Sequence, residues 1–357
     1  MPDATILDDP EARVRLDAGS MAKAVRELPD QCREAWNEAR RLELPPPYRE
    51  IDRIVILGMG GSAIAGDIFR LLLARECPVP VLNHRHYDLP PYVDARTLLI
   101  ASSFSGDTEE TVSAFEQGLA TPAKKLAITT GGRLLTTARA NGIPAFVFRY
   151  RGEPRSAFGY GLMPLLAVAE ALGLMKSVSR DVEEAIAAME ALRERIGEDA
   201  PLAANPAKQL AGRLAGRLPV VYGAELLTEV AHRWKTQLNE STKMWAFYEP
   251  LPEANHNAIV SSSLPPEVAR LVTAIYLRSP HLHPRVTLQY EFSQRALAEA
   301  GVDHLEAHVE GRGALAQVLT GVLLGDYLSL YLALLNGVDP TPTTIIDNLK
   351  AWLAQQE

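Results

Sequence analysis

The chain has 357 residues, 47% hydrophobic and 22% charged, which is typical of a soluble globular protein with room for two domains of ordinary size. Its formal net charge of −8 at pH 7 argues against a protein that binds nucleic acid or an anionic membrane, so any anionic ligand must be held by local groups. The two cysteines, Cys32 and Cys77, are too few for a disulfide scaffold or a cysteine-based zinc site, and they fit a reducing cytoplasm.

The beginning of the chain predicts neither a leader peptide nor a membrane anchor. Residues Met1–Arg15 are acidic and mixed, without the apolar core of a signal peptide. We also expect no membrane-spanning segment, because no apolar run reaches the roughly 18 residues that such a segment needs. One or two helices are predicted over Glu11–Glu43, and Pro45–Pro47 ends them. These features predict a cytoplasmic protein.

From residue 54 onward strands alternate with helices, which predicts a parallel, doubly wound α/β sheet. The predicted strands are Ile54–Leu57, Val79–Asn83, Leu98–Ala101, Lys125–Thr130 and Ala145–Phe148. The predicted helices between them are Ala63–Leu73, Glu109–Leu119 and Leu134–Ala140. Two long helices, Ser156–Leu174 and Arg180–Ile196, then leave the sheet.

A glycine-rich turn joins the first strand to its helix. It contains Gly58, Gly60 and Gly61, followed by Ser62. A glycine turn at a helix N-terminus directs several backbone N–H groups at one point, and that point suits an anion such as a phosphate. The same glycines would also serve a tight turn without a ligand, so the glycines alone leave both interpretations open.

A turn rich in hydroxyl groups follows the third strand and favours the phosphate interpretation. It contains Ser102, Ser103, Ser105, Gly106 and Thr108, directly before the next predicted helix. One hydroxyl is enough to cap a helix, whereas this turn has four. Because both turns leave parallel strands at their carboxyl ends, they face one crevice of the sheet, where ligands of such sheets bind.

The second half of the chain resembles a degenerate repeat of the first. After a predicted linker at Pro201–Pro206, strands are predicted at Pro219–Gly223, Met244–Tyr248, Leu271–Leu277 and His304–Ala307. Helices are predicted at Leu226–Leu238, Leu288–Gly301, Leu315–Leu335 and Ile345–Gln355. No second glycine or serine turn follows these strands. We therefore predict two domains, residues 1–200 and 201–357, of which only the first binds a phosphate.

Three residues outside the turns could take part in chemistry. Arg133 follows Gly131 and Gly132 at the carboxyl end of a predicted strand, where it could stabilise developing negative charge or lie on the surface. Glu240 follows the first helix of the second half and could be a general base or a solvated carboxylate. His256 lies between two asparagines and could move a proton.

The eight histidines predict no metal site. None of them stands in an H-E-x-x-H pattern, and the H-x-x-x-H spacing of His304 and His308 falls on a predicted strand rather than on the helix that such a ligand pair would require. His281 and His283 flank Leu282 ahead of a proline, as expected for surface residues. We expect a protein that uses no metal.

Five motifs together resemble the bifunctional phosphoglucose/phosphomannose isomerases, which are two-domain sugar isomerase (SIS) proteins of the phosphoglucose isomerase superfamily. The motifs are Gly58–Ser62, Ser103–Thr108, Asn239–Ser241, Glu253–Asn257 and the pair of Thr343 and Lys350. The first two occur in SIS domains generally, whereas the other three are more specific and keep the order of the family. The resemblance extends from about Arg53 to the C-terminus, and it implies an α/β fold of two SIS-type doubly wound parallel-sheet domains, each a three-layer αβα arrangement.

The resemblance also implies a role for each matched residue. The 6-phosphate would be held by Gly60, Gly61, Ser62, Ser103, Ser105 and Thr108. Glu240 would move a proton between C1 and C2, and Arg133 would stabilise the cis-enediolate. His256 and Lys350 would open and close the sugar ring, with His256 contributed by the partner subunit of a homodimer. Thr343 would match the threonine that is linked to accepting the mannose epimer.

We therefore expect an aldose–ketose isomerase that interconverts glucose 6-phosphate, and also mannose 6-phosphate, with fructose 6-phosphate through a cis-enediolate and without a cofactor. A dinucleotide enzyme is disfavoured, because Asn83 and His84 stand where a ribose-binding acidic residue is expected. One alternative is an SIS isomerase for another sugar or amino-sugar phosphate. The other is a non-catalytic SIS protein that senses a sugar phosphate, which would not need Glu240, His256 and Lys350 together.

Overall fold

The computed structural model describes residues 4–356, which form two compact units. The first sheet unit consists of Glu27–Glu190 and Glu310–Thr320. The second sheet unit consists of Ala191–Val309, the chain from Gly321 onward and the chain up to Arg26. Both units are therefore discontinuous in sequence.

Strands and helices alternate through most of the chain. The strands are β1 Arg53–Leu57, β2 Val81–His84, β3 Thr97–Ser103, β4 Lys124–Thr129, β5 Ala145–Val147, β6 Leu218–Ala224, β7 Phe247–Leu251, β8 Val272–Arg278 and β9 Asp303–His308. The helices are α1 Pro10–Leu16, α2 Met21–Arg26, α3 Leu28–Ala39, α4 Gly60–Leu73, α5 Glu109–Leu119, α6 Gly132–Ala140, α7 Phe158–Ala171, α8 Ser179–Ile196, α9 Pro206–Leu214, α10 Thr228–Thr242, α11 Pro266–Leu271, α12 Pro284–Glu299, α13 Ala314–Leu335 and α14 Thr344–Leu353.

The first sheet unit contains a five-stranded sheet in the order β2-β1-β3-β4-β5, and all its strand pairs are parallel. One face packs against α5 and α6 through a cluster that includes Val55, Leu99 and Phe115. The other face packs against α4, whose Gly66 lies against the side chain of Ile56. Both faces are covered, which is why β3 is buried along its whole length.

The second sheet unit repeats this arrangement with four parallel strands in the order β7-β6-β8-β9. One face packs against α12 through Tyr276 and Tyr290. On the opposite face, Gly223 of β6 lets Ala231 of α10 approach, since a Cβ at residue 223 would lie 2.7 Å from the Ala231 Cβ. In each sheet the strand that comes first in the chain, β1 or β6, lies between the next two strands. The second strand, β2 or β7, forms the edge on one side, and the third, β3 or β8, lies on the other side. The predicted fold class, with doubly wound parallel sheets, is confirmed.

The structure differs from the predicted elements where backbone geometry intervenes. The N-terminal segment forms three helices, because Ser20 adopts a left-handed φ of 60° between α1 and α2, and Pro29 marks the start of α3. Helix α10 continues to Thr242 rather than Leu238 and ends at Lys243, which also has a left-handed φ of 59°. Consequently β7 begins three residues later than predicted, at Phe247.

The expectation that no apolar segment has membrane length is wrong for α13. By length and composition alone this helix could cross a membrane, with a mean hydropathy of 1.8 over its most apolar window, and it is the one such helix among residues 4–356. That window is entirely buried inside the protein. Asp326 within it forms an ion pair with Arg233 of α10 at 2.7 Å. Helix α13 is therefore accounted for as a core helix.

Candidate active site

The glycine turn follows β1 and opens α4. Gly60 has a left-handed φ of 49°, which glycine adopts without strain. Gly61 lies close to the next layer of backbone, since a Cβ there would be 3.1 Å from the carbonyl oxygen of Pro154. No side chain caps α4, and within its first turn the Ser62 and Ala63 N–H groups donate to the Met59 carbonyl oxygen at 3.1 and 3.2 Å. The turn therefore has the backbone geometry of an anion site.

The serine turn follows β3, which lies beside β1 in parallel register with Ala101 opposite Leu57. The Ser103 and Thr108 hydroxyl oxygens lie 2.9 Å apart, and Ser103 Oγ accepts a hydrogen bond of 3.1 Å from the Gly106 N–H. Ser105 Oγ accepts a bond of 3.2 Å from the Asp107 N–H. Both predicted anion-binding turns thus follow the carboxyl ends of neighbouring parallel strands, at one edge of the first sheet.

Arg133 lies near the same edge but is already engaged. It is at the start of α6, where its backbone N–H donates to Asp107 Oδ1 at 2.8 Å. Its guanidinium donates to both carboxylate oxygens of Glu116, at 2.7 and 2.5 Å, and the side chain is 64% exposed. The structure thus places Arg133 in a bidentate surface ion pair, so its predicted role stays a prediction.

Arg155 is a second arginine, which the sequence reasoning missed. It lies in the 3-10 turn Pro154–Ser156 before α7, and its side chain is 3% exposed. Its Cα would be 3.2 Å from a Cβ at Gly61, and its guanidinium forms an ion pair of 3.2 Å with Glu153. The backbone of Arg155 thus lies against the glycine turn, and its side chain is a buried cation of the kind that can stabilise negative charge. The sequence offered one local signal for this residue, an arginine directly after Pro154 and ahead of the apolar helix α7.

A small notch separates this turn from a group of aromatic side chains. It is lined by Gly61, Ser62, Ser102, Phe104, Ile128, Phe148, Pro154, Ala157 and Gly161. Phe148 stacks on Tyr160 with ring centroids 4.7 Å apart, and Phe104 meets Phe148 edge-on at 6.1 Å. Burial raises the pKa of the Tyr160 hydroxyl well above its usual value, so this hydroxyl stays protonated at neutral pH.

In the second sheet unit, Glu240 lies half-buried in the last turn of α10. A buried hydrogen-bond network fixes this helix to α13, where Asp326 accepts hydrogen bonds from Arg233 and Gln237 at 2.7 and 2.8 Å. Asn239 fixes the chain beyond the helix by donating to the Met244 carbonyl at 3.0 Å. The carboxylate of Glu240 is thus carried by a rigid element.

His256 is exposed at the end of the 3-10 turn Glu253–His256, which follows β7. The neighbouring Asn255 anchors this turn. It accepts a hydrogen bond of 2.7 Å from the buried Ser293 hydroxyl and donates to Gln289 Oε1 at 3.2 Å. The histidine side chain therefore stands on the protein surface at the end of an anchored turn.

Thr343 and Lys350 belong to the last helix. Thr343 precedes α14 as its N-cap residue, without a side-chain capping bond. Lys350 is exposed, and its Nζ lies 4.0 Å from Asp347 Oδ1 one turn earlier. None of the described side chains of α14 is buried. Lys243 connects this region to α10, since its Nζ donates to the carbonyl oxygens of Glu240 and Pro342 at 2.5 and 2.7 Å.

Comparison with known proteins gives a consistent set of relatives. Residues 203–353 match the family model described as the bacterial phospho-glucose isomerase C-terminal SIS domain. A bifunctional phosphoglucose/phosphomannose isomerase of Caldicellulosiruptor bescii is 38% identical over 336 residues, covering 94% of this chain and 99% of the relative. The enzyme of the same name from Aquifex aeolicus is 33% identical, with 86% and 91% covered. A solved structure of a hypothetical protein from Thermus thermophilus has a TM-score of 0.73 at 20% identity, covering 97% of this chain and 94% of that one, and so shares the fold.

Proposed function

This chain belongs to the family of bifunctional phosphoglucose/phosphomannose isomerases, and from that premise we propose that it interconverts glucose 6-phosphate and mannose 6-phosphate with fructose 6-phosphate. The proposed path removes a carbon-bound proton, passes through a cis-enediolate and returns the proton to the neighbouring carbon. The relatives in this family are enzymes, which disfavours the alternative of a non-catalytic sensor.

The observation that carries the proposal is the pair of turns at the edge of the first sheet. Together they offer the N-terminus of α4, the backbone of Gly60 and Gly61, and the hydroxyls of Ser62, Ser105 and the Ser103–Thr108 pair. Uncharged donors of this kind can hold a phosphate dianion in a protein of net charge −8. The phosphate then orients the rest of the sugar, which supplies the positioning that the reaction needs.

The proton transfer is assigned to Glu240. Isomerising an aldose to a ketose requires one base that abstracts a proton at C2 and delivers it to C1, and a half-buried carboxylate on a rigid helix suits this task. The developing enediolate oxygen needs a positive partner. Arg133 was predicted for this role, and Arg155 is favoured because its side chain is buried and its backbone lies against Gly61. Both guanidiniums are ion-paired, Arg133 with Glu116 at the surface and Arg155 with Glu153.

Ring opening and the choice of epimer are assigned to the remaining residues. His256 is assigned to exchange a proton with the ring oxygen or the C1 hydroxyl, and Lys350 carries a cationic donor for the same step. Thr343 is assigned to the contact that tolerates either configuration at C2. None of the described side chains of α14 next to it is buried, so this surface is accessible to a substrate or to a second chain.

We further propose that the protein is a cytoplasmic homodimer in which His256 acts in the site of the partner subunit. The support is the surface of the second sheet unit, where large apolar side chains are exposed near His256 in sequence. They include Trp245 at 76%, Val260 at 82% and Leu264 at 76%. Exposed apolar groups on this scale are typical of a surface that another chain covers.

The proposed function is tested with the purified protein. Coupled assays should detect fructose 6-phosphate from glucose 6-phosphate and from mannose 6-phosphate, and both aldoses from fructose 6-phosphate. Glucosamine 6-phosphate and tagatose 6-phosphate serve as comparison substrates. Turnover of glucosamine 6-phosphate or tagatose 6-phosphate, without turnover of glucose, mannose or fructose 6-phosphate, would favour the alternative of an SIS isomerase for another sugar or amino-sugar phosphate.

A further inference from the structure

We propose that Lys243 is a positioning residue that couples the end of α10, which carries Glu240, to the segment that carries Thr343 and Lys350. The inference rests on the proposed function for the roles of those three residues. Its structural part, the coupling of two segments by one ammonium group, is independent of that function.

The coupling is a set of hydrogen bonds from one side chain. Lys243 Nζ donates to the Glu240 carbonyl at 2.5 Å, to the Pro342 carbonyl at 2.7 Å and to the Pro340 carbonyl at 3.4 Å. The Pro342 carbonyl belongs to the peptide that leads into Thr343. Because one nitrogen binds both oxygens, the backbone of Glu240 and the start of α14 are held side by side. Charged donors form stronger hydrogen bonds than neutral ones.

The backbone at Lys243 favours a functional role for the side chain. Lys243 ends α10 with a φ of 59°, a left-handed conformation in which glycine is the usual residue. A residue with a Cβ is strained there. The strain is offset when the side chain binds the last carbonyl groups of the helix, where a cation is also favoured by the helix dipole.

The C-terminal helix lies at the surface, and Thr341 in the segment before it lies against Gly19. None of its described side chains is buried, and its ion pair between Lys350 and Asp347 is long, exposed and internal to the helix. The end of α10 is also bonded to the residue that follows α13, since Asn336 Nδ2 donates to the Thr242 carbonyl at 3.3 Å. Lys243 is therefore the charged contact that sets where α14 begins relative to Glu240.

The test compares Lys243→Gly, Lys243→Met and Lys243→Arg in the full-length protein. Lys243→Gly removes the ammonium group and relieves the backbone strain at the same time, and its melting temperature reports whether the protein remains folded. Lys243→Met keeps most of the side-chain stem, and Lys243→Arg keeps the charge. Lys235→Met, on the same helix, removes the same charge away from the bridge and is the matched control.

Hydrogen exchange of the amides in residues 343–353 measures the coupling without any substrate. We expect exchange to rise about 10-fold or more in Lys243→Gly and Lys243→Met, as for loss of a hydrogen bond from a charged group. It should rise less in Lys243→Arg and stay unchanged in Lys235→Met. Exchange in Lys243→Gly at the wild-type rate would overturn the proposal, and so would an equal rise in Lys235→Met.

Kinetics test the consequence for the site. We expect kcat on both aldose phosphates to fall by about 10- to 100-fold in Lys243→Gly, because Glu240 and the start of α14 would no longer be held in position. KM should change much less, because the phosphate turns are untouched. Lys243→Arg should recover part of the loss. An unchanged kcat together with faster exchange would overturn the positioning role. A wild-type protein without isomerase activity would refute the proposed function, while the exchange result would still decide the coupling.

Discussion

The hydroxyl oxygens of Ser103 and Thr108 lie 2.9 Å apart across the turn between β3 and α5, and the Thr108 hydroxyl does not cap the helix that it precedes. The pair is supported by the Gly106 N–H, which donates to Ser103 Oγ at 3.1 Å. One of these hydroxyls donates to the other, so the pair, which does not cap the helix, keeps one O–H to donate to an anion. The relation explains why the turn contains more hydroxyl groups than a helix start needs.

This arrangement predicts a selective effect on substrate binding. Ser103→Ala, Ser105→Ala and Thr108→Ala each remove one donor, and each should raise KM for glucose 6-phosphate by about 10- to 100-fold, equivalent to a hydrogen bond of about 1.5–3 kcal/mol to a charged group. Ser113→Ala is the control, because its hydroxyl bonds the Tyr87 carbonyl from within α5. Unchanged KM in all three turn variants would make the turn purely structural.

The two arginines can be separated by conservative substitution. Arg155→Lys should lower kcat by about 10²–10³-fold, the usual cost of removing a donor to a developing oxyanion. Arg133→Lys should change kcat little, since the Arg133 side chain is exposed and paired with the Glu116 carboxylate at the surface. Melting temperatures measured beside kcat control for unfolding of the buried site. The opposite pattern would restore Arg133 to the role that the sequence predicted for it.

Subunit mixing tests the proposed sharing of the site. Glu240→Ala and His256→Ala homodimers should each be nearly inactive. After subunit exchange, heterodimers that pair an intact Glu240 with an intact His256 should regain activity, up to about one site per heterodimer. The measurement is activity against time after mixing, with exchange followed by a mass tag on one partner. Exchange without recovery would place both residues in the site of one subunit.

The reaction as proposed needs no metal, because a carboxylate base, an arginine and a histidine supply its proton transfers and its charge stabilisation. Activity on glucose 6-phosphate should therefore survive prolonged treatment with EDTA followed by gel filtration. The measurement is kcat before and after chelation, with atomic absorption to verify removal. Loss of activity that Zn²⁺ restores would show that this expectation is wrong.

Much of the fold could be predicted from local patterns. The apolar run Ile54–Leu57, stopped by Gly58, and the run Leu98–Ala101, stopped by serines, correspond to β1 and β3 within a few residues. The end of α10 could not be predicted, because Lys243 adopts a left-handed φ of 59° without the glycine that usually marks one, and its side chain bonds the Pro342 carbonyl 99 residues away. For the same reason no local signal shows that Glu310–Thr320 belongs with the first sheet unit.

The site was predictable where chemistry is concentrated in short motifs, and less so where it depends on packing. The hydroxyls of Ser103 and Thr108 are close in sequence, and their pairing follows from one turn. The contrast between Arg133 and Arg155 is visible only in three dimensions. The Arg133 side chain is exposed and paired with the Glu116 carboxylate. The Arg155 side chain is buried, and its backbone lies against Gly61.

Solvent-proton exchange catalysed by wild type and Glu240→Gln tests the central claim most directly. The substitution keeps the shape of the side chain and removes its basicity, and general-base catalysis contributes about 10²–10⁴-fold. In D₂O the wild type should exchange the C2 proton of glucose 6-phosphate with solvent deuterium, as followed by NMR. Glu240→Gln should slow this exchange by that factor or more while KM for the isomerisation changes little. Exchange at the wild-type rate in Glu240→Gln would contradict the account, because another residue would then be the base.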